Sequence, residues 1–315
     1  MWQEIFTTVF LTGFLAATLR MATPILITAL GEMVSERSGI MNLGIQGIMI
    51  FGAFTGFTAA YLSGNLWVGF LAGGLAGLLF GLVMGVGAVR YRANQIVAGL
   101  GIWILCQGLS SLLNRRVFGL VDTPPEISTL QPVAIPLLSR LPILGETVFN
   151  QNLVVYLALL LVPAFVFFFK RTAQGLNIDA VGEQPRAADS AGLNVGRIRI
   201  AAAAAGGLMA GIGGAYLPLA LYGLYTDDLA TGLGWMAIAV VVFGKWRPEG
   251  ILAGALIFGA SNALQFRLQA MKFPLPYQFL LMLPFVVTLL IVIFFVRGES
   301  GPSALTKPYS RSEGG

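Results

Sequence analysis

The sequence predicts an all-α, polytopic membrane protein that forms a single transmembrane domain over residues 1–315. Two observations support this fold class. First, 57% of the 315 residues are hydrophobic and only 10% are charged, whereas about a quarter of the residues in soluble domains are charged. Second, many apolar runs approach the roughly 20 residues that a helix needs to cross a bilayer. We therefore expect about ten transmembrane helices, with eight or nine as the alternatives.

Ten apolar segments can be traced along the chain, and two places are weakly defined. The first two segments have almost no linker, so Arg20 and Pro24 could instead kink one long helix. Segment 232–244 is too short to span a membrane upright. The N-terminus lacks the basic start and the cleavage site of a signal peptide and is interpreted as a retained first helix. The segments are 4–19, 21–35, 40–62, 66–89, 93–114, 152–170, 198–222, 232–244, 249–267 and 277–296.

The distribution of basic residues predicts the orientation. With both termini in the cytosol, 13 of the 19 Lys and Arg residues fall on the inner side and 6 on the outer side, as the positive-inside rule requires. This places the proline-rich loop 115–151 outside, and segment 171–197 and the tail 298–315 inside. The net charge of +5 is therefore a sign of topology, and contact with membrane lipid rather than with nucleic acid is expected.

Glycines recur at every fourth position of the fourth segment. In lipid, such a ridge lets two helix backbones approach closely, which provides the packing energy that the hydrophobic effect does not supply there. The ridge either packs against helices of the same chain or forms a seam with a second copy. Its members are Gly69, Gly73, Gly77, Gly81 and Gly85.

The chain lacks the residues that several kinds of chemistry require. The chain has no His and one Cys, Cys106, which excludes disulfides and argues against metal sites and thiol or imidazole catalysts. It has no Walker A pattern for ATP and no obvious pair of acidic residues in the middle of a span for proton coupling. We therefore expect no cofactor and no catalytic residue, and an energy source in another subunit. The alternatives are an ion-coupled carrier and, with less support, an intramembrane enzyme.

The polar residues in or near the spans are mostly neutral amides. Such groups need partners in lipid, so they either bond other helices or line a path for an uncharged polar solute. Asn42 and Gln46 share a face if the segment is helical, and the glycines around them would permit a broken entry into the membrane. The amides are Asn42, Gln46, Asn94, Gln95, Gln107, Asn114, Asn262 and Gln265.

The polar segment Lys170–Arg199 interrupts the apolar sequence. Pro185 suits the first turn of a short helix, and Gly192 can end that helix in a left-handed conformation. The small residues Ala187, Ala188 and Ala191 would let a partner's groove close on the helix. The alternatives are a docking helix for an energy-supplying subunit and a solvated loop helix.

Three runs follow one another along the chain: Leu30–Gly47, Ala180–Gly192, and Gly234–Val240 with Phe243–Trp246 and Pro248 after it. Together they resemble the permease subunits of ABC importers for nucleosides and simple sugars. The wider family includes ribose-type and branched-chain amino acid permeases. Leu30–Gly47 resembles the start of these subunits, and Ala180–Gly192 resembles their coupling-helix region. Gly234–Val240, followed by Phe243–Trp246 and Pro248, resembles their C-terminal signature.

The resemblance implies an ABC-importer permease fold in a bacterial-type plasma membrane. It also implies a cytosolic ATPase that binds the ATP, a second permease, expected to be a paralogue, and an extracytoplasmic substrate-binding lipoprotein. A nucleoside is the expected solute, and a ribose-type sugar is the alternative. The residues expected to contact the ATPase are Glu183, Gln184, Pro185, Arg186, Ala187, Ala188, Ala191 and Gly192.

The chain departs from the nucleoside branch of that family at two positions. Its relatives often carry Glu where this chain has Gln46, and Asn where it has Trp103. If these side chains touch the solute, the solute preference differs from that of the relatives. The residues expected along the path are Asn42, Gln46, Asn94, Gln95, Trp103 and Asn262.

Overall fold

The computed structural model describes residues 8–119, 123–136, 144–271, 276–295 and 301–310. Within these ranges, seven helices are long and apolar enough to cross a membrane. Two further apolar helical stretches, Leu233–Phe243 and Gln278–Val287, are shorter. The described residues thus form the almost entirely helical, multi-pass membrane protein that the composition predicts.

The described elements are numbered here in chain order. They are α1 (Thr8–Arg37), α2 (Ile45–Ser63), α3 (Leu66–Arg90), α4 (Gln95–Phe118), β1 (Val133–Ala134), α5 (Leu144–Val148), β2 (Asn150–Gln151), α6 (Leu153–Arg171), α7 (Ala173–Glu183), α8 (Pro185–Ser190), α9 (Val195–Tyr216), a π-helical turn (Leu217–Tyr222), α10 (Leu233–Phe243), α11 (Pro248–Ala270) and α12 (Tyr277–Phe295).

The first part of the chain differs from the ten-helix expectation. Two helices were predicted over 4–19 and 21–35, with one long helix through Arg20 and Pro24 as the alternative. The structure has the alternative, since one helix, α1, runs through with Pro24 inside it; residues 4–7 lie outside the described residues. A proline removes a single helical hydrogen bond, which packed neighbours in a bundle can compensate. Each of the other eight segments corresponds to one described helix.

The glycine ridge of α3 packs inside the chain, against α2 and α9. A Cβ atom on Gly77 would lie 2.1 Å from the carbonyl oxygen of Gly207, and one on Gly211 would lie 2.1 Å from that of Gly73. Only glycine allows backbones to approach this closely. All five ridge positions would bring a Cβ within 3.0 Å of an atom of α2 or α9: Gly69, Gly73, Gly77, Gly81 and Gly85.

The segment between α4 and α6 crosses one end of the bundle. The Ile127 amide donates to the Gly223 carbonyl at 2.7 Å, and the Leu130 amide donates to the Leu219 carbonyl at 2.9 Å. Strands β1 and β2 pair antiparallel, a small addition to the predicted all-α fold. Of the predicted loop 115–151, residues 120–122 and 137–143 lie outside the described residues. We call this end of the bundle the loop end.

The opposite end carries basic residues in the last turns of three helices, and we call it the basic end. Arg37 ends α1, Arg90 ends α3, and Lys170 and Arg171 end α6. The polar segment between α6 and α9 lies at this end, because the α1 terminus contacts α7 directly. The basic end therefore brings the polar segment that holds the predicted coupling residues next to the end of α1.

Candidate functional site

A non-helical turn over residues 38–44 joins α1 to α2. Gly39 takes a left-handed φ of +100°, which glycine adopts without strain. The Ser35 hydroxyl donates to the Ile40 carbonyl at 2.9 Å, and the Asn42 backbone N–H donates to the Glu32 carboxylate at 2.8 Å. The broken entry predicted from the glycines is thus a turn held by polar side chains from the last turns of α1.

Gln46 and Gln95 hold the two sides of this turn. Gln46 donates from Nε2 to the Ala230 carbonyl at 2.9 Å and accepts from the Gly234 amide at 2.8 Å. Gln95 accepts from the Met41 amide at 2.9 Å. Both side chains are buried. Their bonds are to backbone groups, as expected when amides pack helices together.

The other predicted path amides have different positions. Asn42 is buried, accepts from the Gly44 amide at 3.0 Å, and has an Nδ2 without a hydrogen-bond partner among the described residues. Asn94 is exposed and caps α4 by accepting from the amides of Ile96 and Val97, a standard N-cap arrangement. Asn262 lies half-buried in α11, a helix that packs on α1. The structure therefore brings Asn42, Gln46 and Gln95 together and leaves Asn262 apart.

Trp103 of α4 lies beside the same turn. Its ring meets the Trp235 ring of α10 edge to face, with 5.5 Å between the centroids. Both indoles are half-buried. Sequence reasoning singled out Trp103 but not its partner in the resembling C-terminal run.

Arg37 is the main connection between the turn and the polar segment. Its guanidinium donates from Nε and Nη2 to the two carboxylate oxygens of Asp179 in α7, each at 2.6 Å. It also lies 3.8 Å from the ring centroid of Phe169 in α6 and donates to the Trp246 carbonyl at 3.3 Å. Burial raises the pKa of the Asp179 carboxyl, although its bonds to Arg37 oppose that shift. One side chain thus joins α1, α6, α7 and the turn after α10.

The polar segment forms two helices, α7 and α8. Thr172 caps α7 by accepting from the Gly175 amide. Pro185 takes the first position of α8, and Gly192, with φ of +88°, follows its end. This is the local geometry that the sequence predicts for the region 171–197.

The predicted coupling residues differ in exposure. Ala188 is only 4% exposed and packs with Val181 and Val195 of the same chain. It therefore supports the segment from inside and is not open to a partner. The exposed members are Glu183, Gln184, Arg186, Ala187, Ala191 and Gly192, and Pro185 is half-buried.

Residues 301–310, here called the tail segment, lie across the basic end. The Ala304 amide donates to the Gly182 carbonyl at 2.9 Å, and the Thr306 amide donates to the Gly39 carbonyl at 3.1 Å. The Ser303 hydroxyl donates to Glu183 at 2.7 Å. The tail segment therefore bonds both the polar segment and the α1–α2 turn. Of the predicted tail 298–315, residues 298–300 and 311–315 lie outside the described residues.

Arg199 connects the α1–α2 turn to the tail segment. It is 3% exposed and donates from Nε to the Ser38 carbonyl at 3.0 Å and from Nη1 to the Lys307 carbonyl at 2.9 Å. A buried guanidinium needs several acceptors; here two backbone carbonyls accept from Nε and Nη1, and Nη2 has no hydrogen-bond partner among the described residues. Sequence reasoning counted Arg199 only as a topology signal, because carbonyl partners leave no mark in the sequence.

Two buried acids were also missed. Glu32 and Glu36 are fully buried in the last turns of α1, although no acid pair was expected in the middle of a span. Glu36 accepts from the Trp246 indole nitrogen at 2.5 Å, and Glu32 holds the turn through Asn42. They lie near the end of the helix and bond neighbouring segments of the chain. Their spacing of four residues was the available signal, since i and i+4 share a face.

Comparison with known proteins identifies a family and several relatives of the chain. A profile of the family described as branched-chain amino acid transport system, permease component, matches residues 14–294. The chain is 36% identical to the putative glucose ABC transporter permease protein TsgC13 of Haloferax volcanii, over 96% of this chain and 98% of that protein. It is 34% identical to the guanosine ABC transporter permease protein NupQ of Bacillus subtilis, over 94% and 96%.

Two further matches bear on assembly. The chain is 32% identical to the nucleoside ABC transporter permease protein NupC of Lactococcus lactis, over 93% of this chain and 95% of that protein. It is also 23% identical to the guanosine ABC transporter permease protein NupP of Bacillus subtilis, over 82% and 74%. Two permease proteins of one organism with the same named solute thus resemble this chain. No solved structure matches the chain.

Proposed function

The chain belongs to the permease family of ABC importers that the nucleoside and sugar permeases above represent, and on that premise we propose that it forms part of the translocation path of an ATP-driven importer. In this proposal the chain itself hydrolyses no ATP. It converts movements of a partner ATPase into movements of its own spans. A small, uncharged polar solute passes along the path, and nucleosides are the leading class.

The Arg37–Asp179 pair carries this proposal. Helices α7 and α8 present exposed residues at the basic end, and Arg37 connects α7 to the turn before α2 through two bonds of 2.6 Å. Paired charged hydrogen bonds of this kind fix both distance and direction. A push on α7 and α8 is thereby transmitted to the turn that carries Asn42 and leads into Gln46. Coupling requires such a physical link between two sites.

The same proposal assigns sides and partners. The basic end faces the cytosol by the positive-inside rule, so the tail segment lies inside and the loop end faces outward. Because α1 is one continuous helix that ends at the basic end, it begins at the loop end, next to Gln151 and Arg267. The start of α1 is therefore assigned to the outer side and not to the cytosol, as two separate helices would have required. The cytosolic ATPase docks on the exposed residues of α8, and an extracytoplasmic binding protein delivers solute to the loop end. The similarity to both NupQ and NupP supports a paralogue as the second permease. The membrane is a bacterial-type plasma membrane.

Two solute classes remain to be separated, since relatives named for guanosine and nucleosides stand beside one named for glucose. A strain lacking this gene, complemented with the gene, is tested with labelled nucleosides and with labelled glucose and ribose. We expect uptake of nucleosides. Uptake of sugar alone would overturn the nucleoside assignment. ATP-independent uptake by the purified chain in liposomes under an ion gradient would overturn the ABC mechanism in favour of an ion-coupled carrier.

A tryptophan at Ala187 tests the docking surface. Ala187 is exposed on α8, so Ala187→Trp leaves the packing of the chain intact while blocking a partner's close approach. We expect normal amounts of the protein in the membrane and a loss of about tenfold or more in uptake, since the few hot-spot residues at the packed centre of an interface cost about 2 kcal/mol or more when changed. Leu160→Trp, on the exposed face of α6 (64% exposed), is the matched control. Equal uptake by the two variants would contradict docking at α8.

A further inference from the structure

Helix α4 differs from α3 and α6 in the residues that it exposes. The exposed residues of α3 include Leu71, Leu75 and Leu79, and those of α6 include Leu160 and Phe167. Aliphatic and aromatic faces of this kind suit contact with lipid. The exposed surface of α4, in contrast, has an aliphatic side and a polar side next to each other.

The polar side of α4 forms a line along the helix, which we call the α4 stripe: Trp103, Gln107, Ser111 and Asn114. These positions follow one another at i, i+4, i+8 and i+11 and therefore share a face. Gln107 is exposed and the others are half-buried. Leu105 and Leu112, both more than half exposed, lie on the aliphatic side. Uncompensated polar groups are costly in lipid, which indicates that the stripe faces water or another protein.

At its inner end the stripe meets a pair of indoles in edge-to-face contact, Trp103 and Trp235, with 5.5 Å between the ring centroids. Trp103 and Trp235 project from α4 and α10, and α2 lies behind both. A Cβ on Gly47 would lie 2.6 Å from the Trp103 Cα, and a Cβ on Gly234 would lie 2.4 Å from the Gln46 Cα. Because glycine at 47 and 234 brings both helices against the backbone of α2, the two indoles are held at a fixed separation.

The outer end of the stripe reaches a cavity of about 240 Å³ at the loop end, whose lining includes Asn114, Tyr225 and Asp227. The Ser111 hydroxyl donates to one Asp227 carboxylate oxygen at 2.8 Å. The other oxygen, Oδ1, is buried and has no hydrogen-bond partner among the described residues. A buried acceptor without a partner is costly, so a donor on a passing solute would improve its environment.

We propose that the α4 stripe is a wall of the solute path and that Trp103 and Trp235 bind the flat face of a neutral ring, a nucleobase or a sugar ring. This proposal rests on the proposed function and specifies where the solute contacts this chain. Aromatic side chains stack on any base, because every base has a π-face. Gln107 and Ser111 supply hydrogen bonds that a neutral solute can exchange for those of water. The second permease covers the exposed side of the stripe.

Thiol accessibility tests the wall without knowledge of the solute. The single native cysteine, Cys106, is fully buried, so background labelling is low. Gln107→Cys and Ser111→Cys are compared with Leu105→Cys and Leu112→Cys in the assembled importer, using a charged, membrane-impermeant methanethiosulfonate. We expect labelling at 107 and 111 to be at least about tenfold faster, because thiolate formation requires water. Equally slow labelling at all four positions, or fast labelling at 105 and 112, overturns the proposal.

Substitution of the tryptophan tests the ring contact. We expect Trp103→Ala to reduce uptake about tenfold by the loss of stacking, whereas Trp103→Phe retains most of it and Leu105→Ala serves as the control. Protection of Gln107→Cys by nucleosides, by glucose or by both identifies the ring. Equal uptake by Trp103→Ala and Leu105→Ala overturns the ring contact. Wild-type uptake of sugar alone would refute only the nucleoside assignment, because thiol labelling is independent of it.

Discussion

Replacing Arg37 by glutamine is expected to lower ATP-driven uptake about tenfold while leaving the protein in the membrane. The variant loses the paired bonds to Asp179 and the contact with the Phe169 ring. The Arg37 and Asp179 side chains are 20% and 28% exposed. Solvent therefore weakens their interaction relative to that of a fully buried pair. A loss on the order of 1 kcal/mol remains, which suffices to loosen the link between α7 and the turn. Uptake and ATPase activity of the importer in proteoliposomes are the measurements.

ATPase activity distinguishes a loss of coupling through Arg37 from a loss of ATPase binding. If Arg37 transmits movement, ATP hydrolysis continues in Arg37→Gln while uptake falls, and Asp179→Asn behaves in the same way. In the double variant the two losses do not add, since both remove one interaction. The control is Lys170→Gln, which removes the exposed pair with Glu249 at 3.3 Å and is expected to change little. Additive losses would show that the two residues act separately.

Local features with a sequence signature were predictable. Hydropathy located the seven described helices that are long and apolar enough to cross a membrane. It divided α1 into two, because a helix with an internal proline gives no local sign of whether it continues. Pro185 and Gly192 marked the limits of α8 through their backbone preferences. The glycines at every fourth position indicated which face of α3 packs closely against other helices, although the sequence alone left open which helices these are.

Features that depend on distant backbone groups were not predictable. Gln46 and Gln95 bond carbonyl and amide groups of remote segments, and no local pattern in the sequence indicates these partners. Arg37 and Asp179 are 142 positions apart, and no local pattern pairs them. Ala188 was grouped with its exposed neighbours because a six-residue helix is too short for a reliable hydropathy period.

Leucine at Gly77 is expected to abolish folding of the protein, the largest structural effect of any single substitution proposed here. A Cβ there would lie 2.1 Å from the Gly207 carbonyl oxygen and 2.8 Å from the Gly211 Cα, and backbone atoms cannot rotate away as a side chain can. Overpacking of an ordinary core costs about 1–3 kcal/mol. Separating α3 from α9 would also undo the contacts at Gly73 and Gly81, against a total stability of about 5–15 kcal/mol.

Gly87 provides the matched control, because it lies on the same helix and a Cβ there would meet no atom within 4 Å. Gly87→Leu also gains the better helix propensity of leucine. In detergent, size-exclusion chromatography of fluorescently tagged variants is expected to show a single symmetric peak for Gly87→Leu and aggregate or no protein for Gly77→Leu. Similar monodisperse peaks for both would mean that α3 and α9 are not in backbone contact. The ridge would then be free to form a seam with a second copy.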